Sequence, residues 1–308
     1  MIRKKVSIIG AGNVGATLAN YIAIRNMADL VLIDIEKEPA QGKALDIKET
    51  APVFGFDIDI TGSNDYQHIK DSDIVVITAG VARKPGMNRL DLLKINASII
   101  ESIIDSIVKY APNSFIIMVT NPVDVLTYLA LKKSKFDKNR VIGQAGVLDG
   151  ARFAYFISDF LKVSIQNINP MVLGGHGNTM IPLVKNTTVS GIPVDALIPR
   201  PDLEKIIDRT KNGGAEIVQL LKTGSAYYAP AAATMKMVEA ILYDRKLITP
   251  CSVLLEGEYD INDVCIGVPV KLGSNGMEEI IQISLSDKEK TALKSSAKIY
   301  QESIEQVS

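Results

Sequence analysis

Val6-Ser7-Ile8-Ile9 runs directly into Gly10-Ala11-Gly12-Asn13-Val14-Gly15, and a helical pattern follows at once. Val14, Leu18 and Ile22 recur at helix spacing and so share one buried face. Strand, glycine turn and helix in this order form the start of a dinucleotide-binding unit. Gly10 permits the tight turn, Gly12 lets the backbone approach a pyrophosphate, and Gly15 lets the helix pack close to the strand. The phosphates then meet the positive end of the helix dipole among unpaired N–H groups. A second apolar strand, Leu30 to Ile33, ends in Asp34. An acid there accepts hydrogen bonds from the adenosine ribose hydroxyls and repels a 2′-phosphate, which favours NAD over NADP. A glycine pattern alone is weak. Strand, turn, helix, strand and acid in register make it specific.

The alternation continues outward from this unit. Apolar runs rich in Ile and Val read as strands at Val6–Ile9, Leu30–Asp34, Ile58–Thr61, Ile74–Thr78, Phe115–Val119 and Val141–Gly143. Helical patterns fall between most of them. This predicts an α/β fold with a Rossmann-type parallel sheet and right-handed crossovers, whose ligands bind at the carboxyl ends of the strands. Residues 1–144 are expected to form this NAD-binding domain and residues 145–308 an α+β substrate domain.

In the second half the spacing predicts a helix over Leu148–Leu161, a strand over Pro170–Leu173, and helices over Pro201–Leu221 and Ala226–Arg245. Apolar segments follow at Ser252–Leu255, Val264–Leu272 and Gly276–Ile283. Gly273-Ser274-Asn275-Gly276 reads as a hairpin turn between the last two. Ser286 and Glu289 read as the capping box of a final helix.

Composition narrows the function. The 308 residues are 47% hydrophobic, enough to bury a sizeable core. Lys and Arg number 34 against 35 Asp and Glu, so the net charge of −1 offers no basic face for nucleic acid or an anionic membrane. An anionic substrate must then be met by individual arginines. Cys251 and Cys265 make neither a disulfide framework nor a metal-site spacing, and no metal is expected. Reduced, buried thiols suit the cytoplasm, although a bridge between two neighbouring strands is a minor alternative. The N-terminus enters the first strand directly, leaving no room for a signal peptide. No apolar run reaches the roughly 20 residues of a membrane span.

Only two histidines exist. His68 lies in the polar stretch Tyr66–Asp71 and reads as solvated. His176 lies in Gly174-Gly175-His176-Gly177-Asn178, directly after an apolar strand. Glycines there let the chain turn and a ligand come close, and imidazole suits proton transfer near neutral pH. A histidine base works better with a carboxylate holding its other nitrogen. Asp149 and Arg152, three apart on one helix face, offer one, though they read equally well as a surface ion pair. Spacing alone does not join them to His176. The loop Gly80 to Arg89 carries three cations, Arg83, Lys84 and Arg89, at the carboxyl edge of the sheet. It could grip phosphate, or close over an anionic substrate and exclude water. Asn88 can cap the helix after it, and Asn121-Pro122 sets an amide at the same edge.

These segments together closely resemble the lactate/malate dehydrogenase family, and its lactate dehydrogenase-like malate branch in particular. The resemblance rests on Gly10–Gly15, Ala82-Arg83-Lys84-Pro85-Gly86-Met87, Thr120-Asn121-Pro122-Val123-Asp124, Leu148-Asp149-Gly150-Ala151-Arg152-Phe153, Gly174-Gly175-His176-Gly177 and Thr223-Gly224-Ser225-Ala226-Tyr227-Tyr228. It runs over essentially the whole chain. It implies reversible oxidation of (S)-malate to oxaloacetate with NAD. His176 would exchange the proton with Asp149 as its partner, and Arg152 would clamp the C1 carboxylate bidentately. Arg89 would polarise the reacting carbonyl. Asn121 would hydrogen-bond the substrate. Asn96, Val119, Thr120 and Asn121 would join Gly10, Ala11, Gly12, Asn13, Val14, Gly15 and Asp34 in lining the cofactor site.

At the position of Arg83 the family typically carries glutamine in lactate enzymes and arginine in malate enzymes. A second substrate carboxylate would be costly unpaired in a closed, water-poor site, and Arg83 would neutralise it. Two residues depart from the malate pattern. Leu90 stands where malate-type members often carry an acid, and Asn178 replaces an aspartate, which would lower the His176 pKa relative to the family. The resemblance also implies a homodimer or homotetramer. An L-lactate dehydrogenase is the nearest alternative, and a non-catalytic NAD-binding protein is the alternative from another class.

Overall fold

Strands buried on both faces make the first layer. In the computed structural model, which describes residues 3–81 and 89–307 apart from the side chain of residue 89, these are β1 (Lys5–Ile9), β2 (Asp29–Ile33), β3 (Ile60–Ser63), β4 (Ile74–Ile77), β5 (Phe115–Met118) and β6 (Val141–Gly143). All five pairings among them are parallel, in the order β3-β2-β1-β4-β5-β6. The order reverses between β1 and β4, which opens a crevice at their carboxyl ends. Between the strands run α1 (Asn13–Ile24), α2 (Lys37–Glu49), α3 (Ala51–Phe54), α4 (Arg89–Tyr110) and α5 (Val123–Ser134). Leu18 and Ile22 on α1 are fully buried and Val14 packs at the rim of the same core, as the helix spacing requires. The strands themselves sit within a residue or two of their expected positions, because their Ile and Val runs have few alternatives to a doubly covered sheet.

The second half begins with α6 (Gly146–Leu161) and continues through short strands: β7 (Ile168–Asn169), β8 (Val172–Leu173), β9 (Ile181–Pro182), β10 (Thr188–Val189) and β11 (Ile192–Pro193). The strand expected over Pro170–Leu173 is thus only two residues long. Pro170 has no N–H to give a ladder, and the Met171 N–H is taken by the Thr187 hydroxyl at 3.1 Å. Then come α7 (Arg200–Leu221), α8 (Tyr228–Leu242), β12 (Leu247–Glu256), β13 (Asn262–Gly273), β14 (Gly276–Ile280) and α9 (Asp287–Glu305). Gly273 faces Gly276 across the expected hairpin turn. Ser286 and Glu289 form the expected capping box.

The three long late strands extend the first sheet. β12 runs antiparallel to β6, with Ser252 opposite Gly143, so nine strands among the described residues form one sheet. This gives the β6 edge a partner and covers it. One large hydrophobic cluster serves the whole sheet, and a smaller one around Phe153, Ile157 and Ile206 fills the space under α6 and α7.

Cys251 faces Val268 and Cys265 faces Leu254, so the thiols lie three rungs apart on β12 and β13. Three rungs are about 10 Å, beyond the reach of a disulfide. Both are free and buried. No helix among the described residues is long and apolar enough to cross a membrane.

Candidate active site

The site lies where the chain returns to the crevice from several directions. At the cofactor edge, Gly10 donates its N–H to Ile33 and accepts from Thr78 Oγ1 at 2.8 Å, which ties the glycine turn to the ends of β2 and β4. A Cβ on Gly15 would fall 1.9 Å from the Gly10 carbonyl, so helix and turn meet at a distance only glycine allows. Asp34 Oδ2 accepts the Ala11 N–H at 2.7 Å, while Lys43 donates to the Ala11 carbonyl. Asp34 Oδ1 keeps only a long contact, 3.5 Å, to the Glu36 N–H.

This edge fits NAD. The N-terminus of α1 carries no side-chain cap, so its first N–H groups remain for a phosphate. Gly12 and Asn13 are exposed, and a Cβ on Gly12 would meet nothing within 4 Å. Val14 is half-buried beside them. Asp34 has an oxygen to offer ribose hydroxyls. Ile35 after it is 92% exposed, an apolar surface for a flat ring.

Asn96 bonds to the backbone on two sides. It is buried in α4, its Oδ1 accepts the Val81 N–H at 2.9 Å, and its Nδ2 donates to the Asn121 carbonyl at 2.8 Å. The amide is therefore spent on backbone. It braces the loop after β4 against the loop after β5. Thr120 does likewise, donating to the Ala79 carbonyl at 2.7 Å. Val119 is buried next to it, and Asn121 alone of this stretch is exposed at the edge.

Proton-transfer groups come from the other half. His176 sits in the loop between β8 and β9, and its Nδ1 lies 3.0 Å from Asp149 Oδ2 on α6. Arg152, one turn along α6, lies 3.5 Å from Asp149 Oδ1. That contact pairs charges without making a hydrogen bond. Asp149 Oδ1 and Arg152 Nε are buried without hydrogen-bond partners among the described residues. The Arg152 side chain runs along the backbone of Gly213 and Gly214 on α7, 3.3 Å from where a Cβ on Gly213 would stand. A largely buried guanidinium with an unmet N–H is prepared for a carboxylate. The pair that spacing could not join is thus one cluster of His176, Asp149 and Arg152. His68, by contrast, is exposed on a short 3-10 turn (Tyr66–Ile69). Arg83, the Asn88 cap and the Arg89 side chain lie outside the described residues, as does most of the 80–89 loop.

Four residues that sequence reasoning did not single out hold the His176 loop. Asp124 Oδ2 on α5 accepts the His176 N–H at 2.9 Å. Its Oδ1 accepts the Ser252 hydroxyl at 2.7 Å. On the α9 side, Ser296 Oγ accepts the Gly175 N–H at 3.0 Å and Tyr300 donates to the His176 carbonyl at 3.2 Å. The ring of Tyr300 fills the place a Gly175 Cβ would take, 1.8 Å away, so glycine is required there. One signal was available: Asp124 is a charge inside the apolar run Val123 to Leu126.

Burial alone would lower the His176 pKa, but the charge and hydrogen bond of Asp149, helped by Asp124, outweigh it and raise it above 6.5. Burial pushes Asp124 up from 3.8 to about 6, against the hydrogen bonds from Ser252 and His176. Both groups therefore hold protons in the folded protein at a pH where the unfolded chain has released them. Their stabilisation is complete below the unfolded values and is lost as pH rises through the folded ones. The thermal midpoint of the apo protein is expected to be about 1–3 °C higher at pH 6 than at pH 8, with a smaller difference in His176→Asn. Calorimetry at the two pH values checks this, and a midpoint that falls on acidification contradicts it.

Comparison with known proteins agrees with the fold. The family described as lactate/malate dehydrogenase, NAD binding domain, matches residues 4–143. The lactate/malate dehydrogenase alpha/beta C-terminal domain matches residues 146–308. The chain is 52% identical over 303 residues to a malate dehydrogenase of Roseiflexus sp. (strain RS-1), covering 98% of each. It is 55% identical over 299 residues to one of Pelodictyon phaeoclathratiforme, covering 97% of this chain and 96% of the relative. Among solved structures, the apo malate dehydrogenase of Picrophilus torridus superposes with a TM-score of 0.97 at 44% identity, over 99% of this chain and 98% of that one. A lactate dehydrogenase of Cryptosporidium parvum, complexed with lactic acid and NAD, gives 0.96 at 38% identity over 100% and 98%. With both halves matched and relatives this similar over nearly their full length, the chain belongs to the lactate/malate dehydrogenase family.

Proposed function

We propose that this protein is an NAD-dependent malate dehydrogenase that interconverts (S)-malate and oxaloacetate. The observation that carries the reading is the His176–Asp149–Arg152 cluster. Asp149 occupies Nδ1 of the imidazole, which leaves Nε2 as the nitrogen that exchanges a proton with substrate. In malate oxidation neutral His176 takes the hydroxyl proton, and Asp149 stabilises the imidazolium that results. Arg152 holds the C1 carboxylate through its planar fork. Arg83 pairs with the distal carboxylate, Arg89 polarises the C2 oxygen, and the exposed Asn121 hydrogen-bonds the substrate. NAD, when bound, supplies the hydride acceptor. Exclusion of water from the site strengthens each of these charge contacts.

Malate is favoured over lactate by Arg83 in the sequence and by malate dehydrogenases among the similar relatives. The intact proton-transfer cluster argues against a silent NAD-binding protein. A spectrophotometric assay tests the reading. NADH should be consumed with oxaloacetate far faster than with pyruvate. Equal rates, or a preference for pyruvate, would defeat it.

A homodimer or homotetramer is the assembly that fits. Leu45, Val53 and Phe54 on α2 and α3, and Tyr155 and Phe160 on α6, expose apolar side chains that a partner copy would cover. Two free buried thiols suit a cytoplasmic setting.

A further inference from the structure

The His176 loop is fixed from three helices. Asp149 on α6 holds the ring, Ser296 and Tyr300 on α9 hold the peptides at residues 175 and 176, and Asp124 on α5 takes the His176 N–H. Asp124 is the unusual member. It is 1% exposed, and each of its oxygens has a single neutral donor, Ser252 Oγ or the His176 N–H. Among the described residues, no cation is bonded to it. An amide oxygen could accept from the same backbone N–H, so anchoring alone does not call for an ionisable group. Burying a carboxylate without a bonded cation is costly, which points to a use for its charge. Among the described residues, the charged and titratable groups that face His176 are Asp149 and Arg152 from α6, Asp124 from α5 and the Tyr300 phenol from α9. Arg152 opposes a charged imidazole. Asp149 and Asp124 favour it.

Position strengthens the case. Asp124 stands three residues after Asn121, in the first turn of α5. The short entry to α5 therefore links the exposed amide at the cofactor edge to the residue that holds the His176 backbone.

We propose that Asp124 is a positioning residue for proton transfer, a second buried carboxylate that fixes the His176 backbone to α5 and adds negative charge behind the imidazole. This rests on the reading of His176 as the proton-exchanging group. It goes further by giving the site two carboxylates with separate tasks. Asp149 orients the ring, and Asp124 sets where the ring stands and how readily it keeps its proton.

The two-histidine content makes a direct test practicable. In a His68→Gln background, His176 gives the only imidazole resonance of the full-length apo protein labelled at histidine. Its titration is followed by NMR in the parent, in Asp124→Asn and in Ser252→Ala. Asp124→Asn should lower the His176 pKa by about 0.5–1 unit, because a nearby negative charge favours imidazolium. Ser252→Ala should lower it less, because losing a donor makes Asp124 keep its own proton to higher pH. The acid limb of kcat/KM for malate should move down by the same amounts. A merely structural role would reduce turnover and leave both the titration and the limb in place. An unmoved His176 titration in the variants overturns the proposal, and Ser252→Ala decides alone if Asp124→Asn fails to fold. A parent protein that titrates as expected but does not oxidise NADH with oxaloacetate would instead count against the functional reading.

Discussion

Replacing His176 with asparagine is expected to lower kcat for malate oxidation by about 10³–10⁴-fold, the upper part of what a positioned proton acceptor contributes. NADH affinity should stay within about twofold, because the glycine turn and Asp34 belong to β1, α1 and β2 and no hydrogen bond joins them to the histidine loop among the described residues. Asparagine is the informative choice. Its amide can still donate to Asp149, so the buried carboxylate keeps a partner and the loss reports on proton transfer. Steady-state NADH absorbance gives kcat, and quenching of NADH fluorescence gives the affinity. Substantial residual turnover would remove His176 from the role proposed for it.

Arg83→Gln is expected to shift the ratio of kcat/KM for oxaloacetate over pyruvate by about two to four powers of ten towards pyruvate. The residue lies outside the described residues, and the argument rests on its sequence position and on electrostatics. A dicarboxylate in a closed site leaves a carboxylate without a cation once the guanidinium is gone. Breaking one side of such a buried pair costs about 3–5 kcal/mol, which sets the range. Pyruvate has no distal carboxylate, so for it the same change removes an unpaired cation. The two effects add in the ratio. Competition between the two keto acids at fixed NADH measures it directly, and an unchanged ratio would separate Arg83 from substrate choice.

What the sequence made legible was local. The turn at Gly10–Gly15, the strand ending in Asp34, the capping box at Ser286 and the glycine setting of His176 each lie within a few residues, where spacing carries the physics. The union of His176 with Asp149 crosses 27 positions and depends on how β8 packs against α6, which no local pattern encodes. The same holds for β12, whose pairing with β6 brings Ser252 opposite Gly143 and under Asp124. The strands β7, β10 and β11 have two residues each, too few for any alternation to show. Asn96 is a further case. Its use as a brace depends on the carbonyl of Asn121, brought close only by the order of β4 and β5.

The anchoring of the histidine loop bears on how the protein acquires activity. Bonds from residues 124, 252, 296 and 300 close loops of 52 to 128 positions before the imidazole is in place. Such distant closures come late, since their entropy is lost before their contacts are gained. Helices and much of the sheet can exist in a refolding chain while it remains inert. Competence is then a property of the finished tertiary structure, and a partly folded molecule that already holds nucleotide has no means of turning it over.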